Sequence, residues 1–407
     1  MLTVDLQGGF GEKGRTSILV SDGATCVMLD AGIKVGAEGE EYHPHLMRPV
    51  SQIDALFITH AHEDHIGALC WMLARGYVGP IWMTAQTRSE MSATLHQYAR
   101  PQDLHHLSRI DSQIRLLTEG QGVQVGGLHI GTGHSGHVAG GVWFTVSDGL
   151  TRVAYLGDVV AGSRVFPMDP VTDCDLLILD ASYGIDPVAA SERAAEILTW
   201  VRTHPAGCLL PTPLSGRSLE LMAILDMPLA IAADMRAPLA TQINAPGMIR
   251  GDATALLHDR LEAATDWAVG DTLPRRPLLV HDGMGVAGPA GPALRSAAAQ
   301  RYPVLLTGHL PPGSPAAGLL VQGDAEWVRM PTHPTLPENV ALWQEAGCPR
   351  TLGHSCDGKV LALLHDHIPT LDAGSRTGHS IVLGTAQPGS GAAQLEGTTD
   401  ADSRLER

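Results

Sequence analysis

The chain has 407 residues, 44% of them apolar and 17% charged, and its 27 Lys+Arg against 43 Asp+Glu give a formal net charge of −16. This length suits two domains, or one domain with a large insert, and the apolar share excludes a wholly disordered chain. No run approaches the roughly 18 apolar residues of a membrane span, and no basic stretch followed by an apolar one marks a secretory signal. We therefore expect no membrane partner.

Two further counts bear on location and substrate. The six cysteines are scattered without a CxxC pair, which is typical of reduced thiols in a cytoplasmic protein. Only three of the 27 basic residues are lysine, so arginine dominates, either for bidentate phosphate contacts or through a general replacement of lysine. The acidic balance argues against a protein that coats nucleic acid non-specifically. Any nucleic-acid substrate must be held locally, by a metal site and a few arginines.

The first half of the chain is rich in predicted strands separated by glycine turns. Its first two strands form an antiparallel meander, and a third ends at a histidine cluster. The predicted elements, in chain order, are strands at 16–20, 25–33 and 55–59, helices at 67–76 and about 86–107, and strands at 142–147, 151–158 and 175–184.

The second half alternates strands with helical segments, which predicts parallel βαβ units. Residues 208–225 indicate a strand, a Gly-Arg turn and a helix, and a helical stretch is predicted near 253–267. A second helix is predicted at 336–347, and we expect the tail from about residue 385 to be disordered. The apolar runs between these segments lie at 228–234, 276–283, 302–310, 327–335, 350–355 and 359–367.

The strongest chemical signal is THAHEDHIG at 59–67, directly after a predicted buried strand. His60, His62, Asp64 and His65 fall within six positions, so their side chains can converge from an irregular loop. Imidazole and carboxylate together suit zinc, or alternatively manganese or iron. An H-x-H-x-D-H run after a strand is rarely a coincidence, even in a chain with 20 histidines.

This motif resembles the signature of the metallo-β-lactamase superfamily, and the rest of the chain resembles its β-CASP branch, the nucleases of RNA and DNA. SGHVAGG at 135–141 is similar to the third metal motif and gives His137, although neighbouring His134 is an alternative. YLGD at 155–158 is similar to the fourth and gives Asp158 as the bridging carboxylate.

Further motifs extend the resemblance over about residues 8–367. LDASYG resembles motif A with Asp180 as its acid, and LPTPLSGRSLELMAIL is similar to the Gly-Arg segment that opens the inserted domain. MPTHPT and LGHSCDG stand where motifs B and C belong and supply His333 and His354. Three departures are clear: prolines flank the motif B histidine, TGHLPPGSP at 307–315 replaces a glycine-rich phosphate loop, and motif C reads H-S-C where the family commonly has H-G-E/D.

The ligand set implies a two-metal hydrolase in which Asp158 bridges the ions. His60, His62 and His137 would hold one ion, and Asp64, His65 and His354 the other, with zinc expected and manganese as the alternative. Asp64 would also orient the attacking water. His333, held by Asp180, is the candidate general acid, and Arg217 and His309 are candidate phosphate contacts. The catalytic set is therefore Asp64, Asp180 and His333.

The resemblance implies an α/β fold, an αββα metallo-β-lactamase sandwich with an inserted α/β β-CASP domain. We expect the sandwich at 1–186 and 327–385, the insert at 187–326 and the disordered tail at 386–407. The leading hypothesis is a nuclease of single-stranded nucleic acid, RNA before DNA. A small-molecule metallo-hydrolase and a catalytically silent RNA-processing subunit are the alternatives. The oligomeric state stays open, and a homodimer is compatible with the sequence.

Overall fold

The computed structural model describes residues 1–118 and 120–384, and the predicted tail at 386–407 lies outside them. The strands before the predicted insert are β1 (Leu2–Gly8), β2 (Phe10–Gly11), β3 (Ser17–Ser21), β4 (Cys26–Leu29), β5 (Ala55–Phe57), β6 (Ile81–Met83), β7 (Ile114–Leu116), β8 (Val123–Val125), β9 (Leu128–His134), β10 (Val142–Ser147), β11 (Arg152–Tyr155) and β12 (Leu176–Asp180). The later strands are β13 (Leu209–Pro211), β14 (Ala230–Ala232), β15 (Thr265–Trp267), β16 (Leu278–Val280), β17 (Leu305–Leu306), β18 (Glu326–Trp327), β19 (Arg350–His354), β20 (Cys356–Asp357) and β21 (Ser380–Leu383).

Helices cover the outer faces of the two sandwich sheets, and others belong to the insert. They are α1 (Glu63–Ile66), α2 (Leu69–Ala74), α3 (Ala85–Tyr98), α4 (Leu107–Gln113), α5 (Ala190–Arg202), α6 (Arg217–Ile224), α7 (Arg236–Ile243), α8 (Gly251–Ala263), α9 (Ala290–Gln300), α10 (Pro315–Gln322), α11 (Leu336–Glu345) and α12 (Gly358–His365). Of these, α5 to α10 belong to the insert. Short 3-10 turns lie at Gly39–Tyr42, Val50–Gln52, Leu104–His106 and Ala233–Met235. In the described part of the chain, no helix combines the length and apolarity needed to cross a bilayer.

Local signals explain several helix starts. Thr84 caps α3 by accepting from the Thr87 amide, and Ser314 caps α10, whose first residue is a proline. A capping box between Thr335 and Glu338 begins α11, directly after the motif B histidine. These caps satisfy amide groups that lack partners in the first turn of a helix.

Two sheets form the sandwich. One has the order β21-β1-β3-β4-β5-β6-β7 and the other β19-β12-β11-β10-β9-β8. The predicted meander is present, because β1, β3 and β4 pair antiparallel, whereas β4, β5 and β6 pair in parallel. The facing side chains form a common core that includes Leu6, Val20, Phe57, Phe144, Ile178 and Leu352. Separate apolar clusters bind helices to the outer face of each sheet, which gives the αββα order.

The insert has its own parallel sheet, in the order β13-β16-β14-β15, as the alternation of strands and helices predicts. β17 pairs in parallel with β18 and is linked to this sheet by a bridge between Leu209 and Val304. Because β18 begins at Glu326, the expected boundary at 326 falls within this strand pair, and the boundaries themselves stay predictions. One large core serves the insert and also takes in Val165 and Met330.

One sequence expectation was wrong in detail. The helical stretch predicted to end at Trp267 ends at Ala263, and Thr265–Trp267 forms β15. These residues pair with Ala230–Ala232 of β14, and the ring of Trp267 is buried. Pairing and burial outweigh a continued helical pattern here, since strand formation depends on neighbours that are distant in sequence.

Candidate metal centre

The predicted site residues lie where strands of both sheets end. The His60–His65 loop follows β5, Asp158 follows β11, and Asp180 is the last residue of β12. In the parallel pairing of β12 with β19, Asp180 stands opposite His354. The carboxyl ends of neighbouring parallel strands therefore bring segments from the whole chain to one edge of the sandwich.

Four of the predicted ligands form one compact group. Candidate ligand atoms of His60, His62, His137 and Asp158 all lie within 4.8 Å of one another. Asp158 Oδ2 lies 3.6 Å from His60 Nε2 and 3.6 Å from His137 Nε2, and His62 Nδ1 lies 3.2 Å from His137 Nε2. Three of the four side chains are buried, and His62 is partly buried.

His137, and not His134, belongs to this group. The Nδ1–H of His137 donates to the Thr332 carbonyl at 2.7 Å, so the lone pair of Nε2 faces the cluster. His134 instead pairs with Asp169, at 3.0 Å between Nδ1 and Oδ2. The sequence left His137 and His134 as alternatives. The hydrogen bond to the Thr332 carbonyl, far along the chain, is what directs His137 toward the group.

His65 is oriented by Asp30, which lies at the end of β4. The Nδ1–H of His65 donates to Asp30 Oδ2 at 2.7 Å, and Nε2 lies 3.2 Å from Asp158 Oδ1. Asp30 is fully buried and also accepts from the Thr59 amide at 2.8 Å and the Tyr155 hydroxyl at 2.7 Å. A carboxylate behind a histidine fixes its tautomer and ring direction, as in known metal sites.

The electrostatics of three histidines favour a bound cation, whereas burial is outweighed at His65, whose pKa is raised well above the usual range by Asp158, Asp64 and Asp30. Burial lowers the pKa of His60 and His62 well below the usual range, and neighbouring histidines add to this. Burial also lowers the pKa of His137, to about 4, although Asp158 opposes it. Neutral imidazole is the form that binds metal. Burial alone would raise the pKa of Asp158, but His65 and His333 outweigh it and hold that pKa well below the usual range.

Buried side-chain atoms without a hydrogen-bond partner show whether these residues fit a metal ion. His60 Nε2, His65 Nε2 and Asp158 Oδ1 are buried, and in this structure none has a partner in hydrogen-bond geometry. His65 Nε2 and Asp158 Oδ1 lie 3.2 Å apart and attract each other as an ion pair, whereas His60 Nε2 has no carboxylate oxygen of the described residues closer than 3.6 Å. A buried polar atom without a hydrogen bond costs about 1–3 kcal/mol, and a cation at this point would supply the missing contact. Imidazole nitrogens and a carboxylate oxygen are the donor set of zinc and manganese. The residues present therefore fit a divalent ion.

A second group joins Asp158 to the proposed acid. Asp158, Asp180 and His333 also have candidate atoms within 4.8 Å of one another. His333 Nδ1 donates to Asp180 Oδ2 at 2.8 Å and lies 3.7 Å from Asp158 Oδ2. Burial opposes a charge on His333, but Asp180 and Asp158 outweigh it and raise its pKa to about 10. The side chain is 20% exposed, so it reaches solvent while its Nδ1 is held.

Asp180 is itself held by backbone and side-chain donors. Its Oδ1 accepts from the Ser182 amide at 3.0 Å and the Ser182 hydroxyl at 2.6 Å, and its Oδ2 accepts from the Val159 amide at 3.3 Å. Burial would raise the pKa of Asp180, but His333 outweighs it and lowers that pKa. A fixed, ionised carboxylate is what keeps the His333 imidazole protonated.

Two predicted ligands of the second ion stand apart from these groups. Asp64 Oδ2 lies 3.8 Å from His65 Nε2, and its side chain is 31% exposed at the mouth of the site. His354 is buried, but its Nε2 donates to the Gly157 carbonyl at 3.0 Å and its Nδ1 lies 2.8 Å from the Ser355 hydroxyl. The structure places His354 beside the residue that precedes Asp158 and outside both groups.

The predicted phosphate contacts lie on the insert side. Arg217, the first residue of α6, is partly buried, and its Nη2 lies 3.4 Å from Thr332 Oγ1. Its Nε has no partner, and no described carboxylate lies within 4.0 Å of its guanidinium. Gly216, at φ 75°, lets α6 approach the His137 loop, since a Cβ there would lie 3.1 Å from the His137 carbonyl oxygen. His309 is exposed nearby.

Sequence reasoning missed the residues that act through hydrogen bonds. Thr332 fixes His137 through its carbonyl, Tyr155 and Thr59 fix Asp30, and Ser182 fixes Asp180. A backbone carbonyl carries no signal in the sequence. Only Ser182 could have been predicted from the sequence. It lies two residues after the motif acid Asp180, the spacing at which an Asp side chain accepts a hydrogen bond from the backbone in a turn.

The two-sheet sandwich and the buried His/Asp group at its strand ends define the class of this protein. It is an α/β sandwich protein with a candidate metal centre. The chain belongs to the metallo-beta-lactamase superfamily, whose model matches residues 11–217. The sandwich with an inserted α/β domain that the sequence predicted is confirmed.

Named relatives agree with the β-CASP resemblance. The chain is 28% identical to cleavage and polyadenylation specificity factor 73 of Drosophila melanogaster, over 56% of this chain and 36% of that one. It is 28% identical to ribonuclease TTHA0252 of Thermus thermophilus, over 53% of this chain and 59% of the relative. The matched part thus spans from about a third to somewhat over half of these relatives.

A solved structure extends the likeness to almost the whole chain. The crystal structure of a protein of unknown function from Enterococcus faecalis has a TM-score of 0.61 at 12% identity, covering 94% of this chain and 100% of that one. At this identity the likeness shows the fold alone.

Proposed function

We propose that this protein is a metal-dependent phosphodiester hydrolase that cleaves single-stranded RNA, with DNA as the second substrate. The observation that carries the proposal is the carboxylate of Asp158, which lies between the ligand group of His60 and His137 and the protonated His333. A metal site and a held acid on either side of one point match the needs of phosphodiester hydrolysis.

Two divalent ions are proposed, zinc or alternatively manganese. His60, His62 and His137 would hold one, Asp64, His65 and His354 the other, and Asp158 would bridge. Such ions supply Lewis-acid polarisation of a phosphoryl oxygen and lower the pKa of the attacking water. His354 enters this set by its place at the sheet edge, where its Nε2 now donates to the Gly157 carbonyl.

The remaining residues handle the water, the proton and the phosphates. Asp64, exposed at the mouth, would accept a hydrogen bond from the attacking water and orient it. His333, kept protonated by Asp180, would donate a proton to the departing ribose oxygen, because a bare alkoxide is a poor leaving group. Arg217 and His309 would contact neighbouring phosphates; the Arg217 Nε, which has no hydrogen-bond partner, supports this role.

The substrate class rests on the relatives and on the cleft. One relative is named a ribonuclease and another a cleavage and polyadenylation factor, both terms from RNA processing. The site lies between the sandwich and the insert, where Gly216 and Arg217 contact the His137 loop and Thr332. We expect the space between the sandwich and the insert to admit one strand more readily than a duplex.

The decisive experiment incubates the zinc- or manganese-loaded protein with end-labelled single-stranded RNA and DNA. We expect cleavage of RNA that is abolished by a chelator and restored by the metal. Asp158→Ala should lose at least one ion, measured by elemental analysis, and all cleavage with it. His105→Ala, an exposed histidine outside the site, is the matched control and should behave as wild type.

Each other outcome removes one alternative. Turnover of small esters without cleavage of RNA or DNA would replace the nuclease by a small-molecule hydrolase. Bound metal without any hydrolysis would leave a silent subunit, and unchanged metal content in Asp158→Ala would remove the proposed centre.

A further inference from the structure

Trp327 is an unusually exposed aromatic residue beside the site. Aromatic residues form only 4% of the chain, and 38% of the Trp327 side chain is exposed. It lies on β18, at the point where the chain leaves the insert and approaches His333. A large ring left open to solvent near a catalytic cleft is an unused contact surface.

Trp327 begins a chain of ring and guanidinium contacts that ends at the proposed acid. The guanidinium carbon of Arg329 lies 5.4 Å from the centre of the Trp327 ring and 4.5 Å from the centre of the Tyr183 ring. The Tyr183 ring lies edge-on to His333, with centroids 5.0 Å apart. We call Trp327, Arg329 and Tyr183 the stacking platform.

Hydrogen bonds hold each member of the stacking platform in place. Trp327 Nε1 donates to the Gly308 carbonyl at 2.9 Å, and Arg329 Nη1 donates to Asp186 Oδ2 at 2.9 Å. The Tyr183 hydroxyl donates to the Met330 carbonyl at 3.0 Å. The rings are therefore oriented before any ligand arrives, which reduces the ordering cost of binding.

The stacking platform adjoins the proposed phosphate contacts at Gly308. The Gly308 carbonyl binds Trp327, and a Cβ at Gly308 would lie 2.1 Å from Arg217 Nη1. The Arg217 guanidinium and an exposed indole thus lie on the two sides of one glycine. A nucleotide presents the matching pair of groups, an anionic phosphate and a flat base.

We propose that the stacking platform binds the nucleobase of the leaving nucleotide, with the base on the exposed indole of Trp327. This rests on the proposed function. The leaving side is assigned because the contacts of the platform reach His333 through the edge-on Tyr183 ring, and His333 is the group placed to protonate the departing oxygen. Stacking on a ring is available to every base, so the platform favours single strands without selecting a sequence.

The test combines a protein change with a substrate change. The cleaved bond in a short single-stranded RNA is mapped with the wild-type holoenzyme, and the base of the leaving nucleotide is then removed to give an abasic position. We expect wild-type kcat/KM to fall roughly 5- to 150-fold, the range for one base stacked on an aromatic ring. In Trp327→Leu, the intact RNA should lose a similar factor and base removal should cost no more than about 2-fold further.

Two further variants separate stacking from folding. Trp327→Phe keeps a ring and should retain most of the sensitivity to base removal, which a purely structural role would not predict. Leu150→Ala changes another exposed apolar residue, in the turn between β10 and β11 at the opposite end of the strands, and should match wild type. Binding should also quench tryptophan fluorescence in wild type more than in Trp327→Phe.

The outcomes distinguish the two proposals. Cleavage of RNA with equal base-removal losses in wild type and Trp327→Leu would overturn the stacking platform and leave the nuclease intact. Failure of the wild type to cleave either RNA or DNA would overturn the nuclease proposal, and the platform with it.

Discussion

At the scale of single residues, the carboxylate of Asp158 joins groups from distant parts of the chain. His60, His65, His137 and His333 each approach one of its oxygens within 3.2–3.7 Å. A buried carboxylate is stable only with such partners, since burial alone would raise its pKa. Removal of Asp158 would leave buried imidazoles with no common counter-charge.

The role of His333 as a proton donor can be isolated from metal binding. In His333→Ala, metal content should stay at the wild-type value, because none of the proposed ligands is changed. Turnover of RNA should fall roughly 10²- to 10⁴-fold, the usual contribution of one acid or base. Elemental analysis and single-turnover kinetics on the same preparation check both statements, and wild-type turnover would remove His333 from the mechanism.

Asp30 should act on metal affinity without touching the ion. Asp30→Asn keeps the size and tolerates the backbone φ of 59°, but it weakens the hold on His65 Nδ1. We expect metal affinity to fall roughly 10- to 100-fold, as for other residues that orient ligands. Competition with a chelating dye measures this, and circular dichroism tests whether the fold persists. An affinity equal to wild type would show that His65 needs no such support.

The site was predictable from the sequence only where motifs are local or well spaced. His60, His62 and His65 lie within one loop, and they were visible in one line of sequence. The ring direction of His354 was not predictable from the sequence, because it depends on whether Nε2 faces a backbone carbonyl or a metal-ligand position. Side-chain direction at a strand end is set by neighbours that a motif does not encode.

At the scale of secondary-structure elements, the backbone of the loop after β4 packs directly against the backbone of α1. A Cβ on Gly32 would lie 1.6 Å from the Asp64 carbonyl oxygen, which is a backbone atom that cannot move aside. Glycine is required here for close approach of two backbones rather than for a special φ.

Gly32→Ala should therefore destabilise the fold strongly. We expect a loss of about 3 kcal/mol or more in the free energy of unfolding, from forced overpacking. Gly251→Ala is the matched control, because a Cβ at this first residue of α8 meets no atom within 4 Å. That control should change stability by less than about 1 kcal/mol. Urea unfolding measures both, and similar values would contradict the backbone clash.

His43 should make the packing of α2 sensitive to pH. Its ring stacks on Trp71 with centroids 4.5 Å apart, and burial, helped by Arg100 and Arg75, lowers its pKa to about 4. Between about pH 6.5 and 4 the unfolded chain holds this proton and the folded chain does not, so stability rises with pH in that window. Above about pH 6.5 the effect is absent.

The contribution of His43 is measured as a difference. The free energy of unfolding at pH 7 minus that at pH 5 should be smaller in His43→Phe than in wild type, because phenylalanine keeps the ring contact and carries no proton. His105→Phe, at an exposed position, should leave the difference unchanged. Equal differences in all three proteins would assign the pH dependence to other groups.

Sequence patterns predicted strands well where an apolar run is continuous, and they missed several shorter or more polar strands, among them the interior strands β6 and β9. The runs at 142–147 and 175–184 contain β10 and β12, which lie inside a sheet. The edge strands β8 and β21 were not predicted, since an edge strand has one partner and a weaker apolar pattern. β1 was also missed, although it is central, because its polar Asp5 and Gln7 are buried.

At the scale of the whole molecule, an acidic protein should bind RNA through few ionic contacts. With about two phosphates neutralised, the slope of log affinity against log salt should be near −1.4 for a single strand. His333→Ala permits the measurement with cleavage slowed roughly 10²- to 10⁴-fold, and fluorescence anisotropy gives the affinity at each salt concentration. A slope several times steeper would mean that a broad basic surface, and not the cleft, holds the strand.

The overall architecture was predictable because motifs far apart in the chain follow the same order as in the family that the sequence resembles. The two sheets, the helices on their outer faces and the parallel sheet of the insert all agree with that order. How the insert meets the sandwich was not predictable. The contact of Gly216 with the His137 loop and of Arg217 with Thr332 depends on a few tenths of an ångström at one glycine.

The hydrogen bond between His137 and the Thr332 carbonyl joins residues that are 195 positions apart. During synthesis the His137 imidazole emerges from the ribosome long before the carbonyl that fixes its tautomer, because the insert lies between them in the sequence. A nascent chain halted before Thr332 therefore has an incompletely oriented ligand set. The proposed ion would accordingly meet its full ligand geometry only late in synthesis, after Thr332 has joined the fold.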